Sequence, residues 1–143
     1  MPNEHIKALA LFRIEQAYEC LHSAEMDLQV GHLRSAANRS YYCIFHTMRG
    51  VLALTGYDSK KHSGIISKFR ELYIKTGVFS TAFSTAIGSA FEIRNNSDYQ
   101  DFYVVLKADV VEQIDNAKRL IAVATQYIHS ELDGLGGGSN HEA

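Results

Sequence analysis

Two stretches of this chain repeat one apolar rhythm, a step of four followed by a step of three. Near the start it runs through Ala10, Ile14, Ala17, Leu21, Ala24 and Leu28; near the end it runs through Val110, Ile114, Ala117, Ile121, Ala124 and Ile128. Residues so spaced fall on one face of an α-helix and cannot share one face of a strand. No stretch alternates with period two for long enough to require a strand. The only proline is Pro2, so nothing downstream forbids helix.

The rhythm predicts a long helix from Pro2 to Gly31 and another from about Phe102 to about Leu132. A third long helix is expected over about Leu33–Thr55, with Ala37, Tyr41, Ile44, Met48 and Val51 as its core stripe. Shorter helices fit Gly64–Lys75, through Ile65, Phe69 and Leu72, and Ser80–Arg94, through Phe83, Ile87 and Ala90. Gly31, Gly56, Gly64, Gly77 and Gly134 punctuate the chain, most of them where a helical pattern stops. The fold class expected is all-α, an up-and-down antiparallel bundle of three long and two short helices. Residues 1–133 form the domain on this reading, and the glycine-rich residues 134–143 a flexible tail.

With 143 residues the chain can bury a core without staples, and 46% apolar against 21% charged residues is ordinary globular composition. A net charge of −2 argues against gripping nucleic acid by bulk electrostatics, though not against a local basic patch. Cys20 and Cys43 fall inside helices without a CxxC or a His/Cys cluster, so they read as buried free thiols, and no metal or cofactor is expected. No apolar run approaches the ~20 residues of a membrane span. The first residues lack the pattern of a secretion signal, so the cytoplasm is the expected location.

The helix over 33–55 carries the most chemistry. With Ala37 at zero and about 100° per residue, its core stripe stays within about 40° of zero. Arg39, Tyr42, His46 and Arg49 then fall between about 120° and 200°, stacked along the opposite ridge. Two guanidiniums, an imidazole and a phenol on one ridge can hold a phosphate or stack on a base; they equally suit a solvated face or a partner interface. Arg94 continues the Phe83, Ile87, Ala90 stripe and so points toward the bundle. Asp98 is its expected carboxylate partner, in a pair that pins the turn into the last helix or shares in binding a ligand. Lys60, Lys61, His62 and Ser63 precede a helix N-terminus, where an anion could bind; the plainer expectation is that Ser63 caps the helix and the lysines are solvated. No nucleotide-binding or protease fingerprint occurs.

The run Ala36-Ala37-Asn38-Arg39-Ser40-Tyr41-Tyr42-Cys43-Ile44-Phe45-His46 resembles the second helix of the HEPN family, with its Arg-x-Tyr-Tyr-x-x-Phe-His pattern. His62-Ser63-Gly64, and Arg94 through Asp98-Tyr99, extend the resemblance, which covers about Ala8 to about Ile128. It implies an up-and-down bundle that commonly forms homodimers and is often encoded beside a minimal nucleotidyltransferase, some such pairs being toxin and antitoxin. The family's toxins are metal-independent ribonucleases using an Arg-x(4–6)-His motif at the position of Arg94. Here Asn95, Asn96, Ser97, Asp98, Tyr99, Gln100 and Asp101 follow, with no histidine. The motif keeps its arginine and loses its general acid–base.

The leading expectation is therefore a non-enzymatic homodimeric module that binds a nucleotide, an RNA segment or a nucleotidyltransferase partner. Its ligand residues would be Arg39, Tyr42, His46, Arg49, Arg94, Asp98 and Tyr99, with Lys61, His62 and Ser63 a weaker anion site. An RNA endonuclease toxin using Arg94 with His46 is the alternative, and a purely structural dimerisation partner the third.

Overall fold

The computed structural model describes residues 2–137, which form five α-helices and, among the described residues, no strand: α1 (Pro2–Gln29), α2 (Leu33–Ala53), α3 (His62–Phe69), α4 (Thr81–Tyr99) and α5 (Lys107–Gly137). A single π turn, Arg70–Ile74, extends α3. Residues 138–143 of the expected tail lie outside the described residues, and α5 continues through its first residues, to Gly137. No described helix is long and apolar enough to cross a membrane.

The two apolar rhythms become the buried stripes of α1 and α5, with Ala10, Ala17, Ala24, Ala117, Ala124 and Ile128 all fully buried. Alanine at every other step lets the two helices approach α2 closely, and α2 lies against both. Between α1 and α2, Gly31 takes φ +81°, a conformation glycine adopts without steric cost, so a three-residue turn reverses the chain. Helices α3 and α4 pack on α2 from the remaining side. Consequently α2 is buried nearly all round, and Ala36, Ser40, Cys43 and Thr47 are enclosed along with its core stripe. The enclosed hydroxyls bond within the helix, Ser40 to the carbonyl of Ala36 and Thr47 to that of Cys43 (2.8 and 2.7 Å), which leaves no polar orphan there.

One buried amide joins α5 to α2. Gln113 donates from Nε2 to the Ala37 carbonyl at 2.8 Å and to Ser40 Oγ at 2.7 Å. Gln113→Ala removes both bonds and opens a void, so urea denaturation should show a loss of ~1–3 kcal/mol in unfolding free energy; an unchanged value would mean the amide contributes nothing to docking.

The structure corrects the sequence reading at four boundaries. Helix α5 starts at Lys107 and not near Phe102, which is 97% exposed. The reason is Arg34, whose guanidinium donates to the carbonyls of Ser97, Asp101 and Tyr103 and ties down the chain between α4 and α5 as a loop. Helix α4 runs on to Tyr99, so Arg94 and Asp98 form an intrahelical i, i+4 pair and do not pin a turn. Helix α3 begins at His62, with Lys61 as N-cap and no side-chain cap, so Ser63 does not cap it. Gly64 lies inside α3 and ends nothing: a Cβ there would meet Ser59 Oγ at 2.6 Å, so a larger residue would displace the Ser59 side chain of the preceding loop.

Candidate functional site

Tyr42 sits where α2, α3 and α4 meet, and the polar ridge of α2 gathers around it. The ridge is half-buried: Arg39, Tyr42, His46 and Arg49 are neither core nor free surface. From α4, Arg94 reaches across to donate from Nη2 to the Tyr42 hydroxyl at 3.1 Å. Its guanidinium also lies 5.6 Å from the Tyr41 ring centre and 5.7 Å from that of Tyr42. Asp98 Oδ2 stands 3.1 Å from Arg94 Nε, as an ion pair that is not aligned as a hydrogen bond. The Arg39 guanidinium lies 5.2 Å from the centre of the same ring. Two guanidiniums thus lie close to Tyr42, and its hydroxyl is bonded to one of them.

His62 enters from α3 and turns inward. Its Nδ1 is 2.7 Å from the hydroxyl of the fully buried Tyr41, and its ring stacks on Phe45 at 4.1 Å between centres. Burial pushes the Tyr41 phenol well above its ordinary range, so it stays protonated in this hydrogen bond. A neutral His62 carries one ring proton, and the Tyr41 hydroxyl can pair with either tautomer at Nδ1. Burial, with Arg94 and Arg49 nearby, lowers the His62 pKa and favours that neutral form. Lys61 and Ser63 are exposed and do not join it, so the expected Lys61-His62-Ser63 anion site does not assemble as a unit.

His46 faces a pocket of about 290 Å³ between α1 and α2, lined also by Gln16, Glu19, Cys20, Ser23 and Arg39. Its Nδ1 is buried without a hydrogen-bond partner. Burial, reinforced by Arg49, Arg39 and Arg13, brings its pKa down to about 4, so the imidazole is neutral at physiological pH. A depressed histidine pKa means that the unfolded chain binds protons first as pH falls. Stability is therefore full above about pH 6.5 and declines toward pH 4 by no more than about 3 kcal/mol from this residue, with His62 adding in the same direction. Denaturation midpoints measured from pH 7 to pH 4 should fall less steeply in His46→Gln; an identical slope would contradict the assigned environment.

Arg49 has another occupation. It donates from Nε and Nη2 to the two carboxylate oxygens of Asp58, at 3.2 and 2.9 Å, while Arg13 Nη2 holds Asp58 Oδ2 at 3.2 Å. Arg13 Nη1 also bonds the Arg49 carbonyl at 3.0 Å. This clamp ties α1, α2 and the loop before α3 together, and the hydrogen bonds to Arg49 and the Ser59 amide hold the Asp58 carboxyl below its usual range against the opposing effect of burial. Tyr99, at the end of α4, is 75% exposed and stands apart from the buried part of the cluster. Sequence reasoning missed Arg13 and Asp58 altogether. Arg13 could have been found, because it sits inside the α1 apolar stripe between Ala10 and Ala17, where a charge requires a partner. Asp58 left no such mark.

Arg94, which the resemblance put at the position of the family's motif arginine, rests on the paired tyrosines of α2. The HEPN domain model matches residues 10–129. The chain belongs to the HEPN family. This HEPN protein is 31% identical over 116 residues to a UPF0332 protein of Thermotoga maritima, a match covering 81% of this chain and 87% of the relative. It is 31% identical over 96 residues, 67% of this chain and 69% of the relative, to a protein of Methanocaldococcus jannaschii named as a candidate toxin. Among solved structures, that of an archaeal HEPN homologue superposes with a TM-score of 0.59 at 20% identity, over 83% of this chain and 97% of the other, which shows the shared fold.

Cys20 and Cys43 are buried free thiols, the latter pushed up to about 12 by burial, so neither is a ready nucleophile. Among the described residues, no three His, Cys, Asp or Glu side chains gather as a metal site.

Proposed function

We propose that this HEPN module binds single-stranded RNA through its phosphates at the Tyr42-centred face, without cleaving it. The observation behind the reading is the convergence on Tyr42 of donor groups from three helices. Arg94 and Arg39 supply guanidiniums, Tyr42 a hydroxyl, and His62 an imidazole ring. Such a set suits phosphate oxygens, and the half-exposed tyrosine ring suits a base. The charge is local, which reconciles nucleic-acid binding with a net charge of −2. Arg49 contributes field and not contact, since Asp58 occupies its fork. The family resemblance extends the reading to a homodimer with a nucleotidyltransferase partner, and the toxin naming of a relative fits a paired system.

A second reading, metal-independent endonuclease, is favoured by one observation: His46 is neutral, and both it and Arg94 pack against Tyr42. In that chemistry His46 takes the proton of a ribose 2′-hydroxyl as its oxygen bonds to phosphorus. The bond to the 5′-oxygen breaks, that oxygen regains a proton, and Arg94 steadies the charge on the phosphorane.

Incubation with tRNA in the absence of metal separates the two. The binding reading expects retarded but intact RNA, with retardation lost in Arg94→Ala. Cleavage by the wild type that disappears in both Arg94→Ala and His46→Ala would establish the nuclease instead, and RNA neither retarded nor cut would contradict both.

A further inference from the structure

A second concave surface shares no residue with the Tyr42-centred site and has the opposite charge. It is an open groove of about 600 Å³ between α4 and α5. Ala82 and Ala86 line its α4 side, small enough to let another backbone come close, with the fully buried Ala90 beneath them. Three carboxylates line it as well: Glu92 on α4, and Asp109 and Glu112 on α5. None of the three belongs to an ion pair among the described residues, whereas Asp58, Glu71, Asp98, Glu25 and Asp115 all do. Three negative charges therefore share one groove without a cation.

A second, independent feature also asks for a donor. Gln113 lines the same groove and is only 4% exposed. Its Nε2 is committed to α2, while its Oε1 is a buried acceptor with no hydrogen-bond partner. The groove thus presents three carboxylates, and its wall contains a buried carbonyl oxygen without a partner. Tyr103 carries its wall into the loop between α4 and α5, where Phe102, Val104 and Leu106 are 97%, 72% and 57% exposed. Exposed apolar side chains in the loop that bounds a polar groove suit a protein contact better than a small ligand.

We infer that the α4–α5 groove docks a basic amphipathic helix of a partner protein. Arginine or lysine side chains of that helix meet Glu92, Asp109 and Glu112, and its apolar face lies against the alanines of α4 and the exposed 102–106 loop. From Ala82 to Ile93 the groove follows α4 for about 16 Å, three turns of a docked helix. RNA is excluded because its phosphates would face the same carboxylates. One surface of the module is built for an anion, and the other for a cationic protein segment.

The test is fluorescence anisotropy of a labelled helical peptide about three turns long, apolar on one face with arginines beside it, against a counterpart carrying glutamates. The wild-type chain should bind the arginine peptide saturably and ignore the glutamate peptide. Glu92→Gln/Asp109→Asn/Glu112→Gln should weaken that binding about tenfold or more, while Arg94→Ala binds the peptide like wild type. Because Asp109 sits in the first turn of α5 and supports its dipole, the exposed pair Glu92→Gln/Glu112→Gln provides a milder variant with the same expected direction. Retained RNA binding by these variants shows them folded and keeps this inference separate from the reading of the Tyr42 face. Equal binding to the neutralised groove, binding of the glutamate peptide, or no saturable binding overturns the inference. So does self-association abolished by the same substitutions, which would give the groove to a second copy of this chain.

Discussion

Arg94→Ala lowers the affinity for a short single-stranded RNA by about 10- to 100-fold, since a hydrogen bond to a charged group contributes ~1.5–3 kcal/mol. The guanidinium is already placed: Tyr42 Oη holds one of its nitrogens, Asn95 Oδ1 another, and Asp98 stands beside its Nε. A phosphate that reaches the remaining N–H groups of the two terminal nitrogens therefore meets a guanidinium already held in place and immobilises little on binding. Arg94→Lys keeps the charge but offers a single ammonium in place of the fork, so it should recover only part of the loss. Folding should change little, by about 1 kcal/mol or less, because the ion pair is partly open to solvent. A titration in which alanine and wild type bind RNA equally would remove Arg94 from the site.

Tyr41→Ala has the largest expected effect on stability, ~3–5 kcal/mol, the usual cost of emptying a large aromatic site. Tyr41 is fully buried and touches Phe45, Phe91, Tyr42 and His62 with its ring, and Arg94 lies over its face. Against a typical domain stability of ~5–15 kcal/mol this is a large share. Tyr41→Phe keeps the packing and removes only the bond to His62 Nδ1, so ~1 kcal/mol is expected. Urea denaturation of the two variants distinguishes core packing from the hydroxyl. Equal losses would mean that the hydroxyl bond, and not the ring, dominates.

Much of this architecture could be read before any coordinates. The four-three rhythm of α1 and α5 and the Ala37–Val51 stripe of α2 correspond to the buried faces, because burying apolar area is what fixes a bundle. The rhythm failed where apolar residues are not buried. The last helix was expected from about Phe102, yet Arg34 holds that segment as loop through backbone carbonyls, which have no sequence signature. The site was legible in its α2 ridge and in Arg94. What could not be read was how the ridge divides. Arg49 turns to Asp58, His46 faces α1, and Tyr42 receives Arg94, although all three lie on one side of the same helix. His62 was placed with its lysine neighbours by proximity in the chain, whereas stacking on Phe45 carries it into the aromatic cluster. Helical periodicity assigns a side of the helix, and only the neighbouring helices assign a partner.

The central claim is that RNA is held at the Tyr42-centred face, and the most direct measurement is a nuclear magnetic resonance titration of the labelled chain with a short single-stranded oligoribonucleotide. The account predicts the largest shifts at the Arg94 side-chain Nε–H, at the His62 and His46 rings, and along α2 from Arg39 to His46, with the α4–α5 groove unmoved. Shifts confined to other surfaces, or none at saturating RNA, would contradict it.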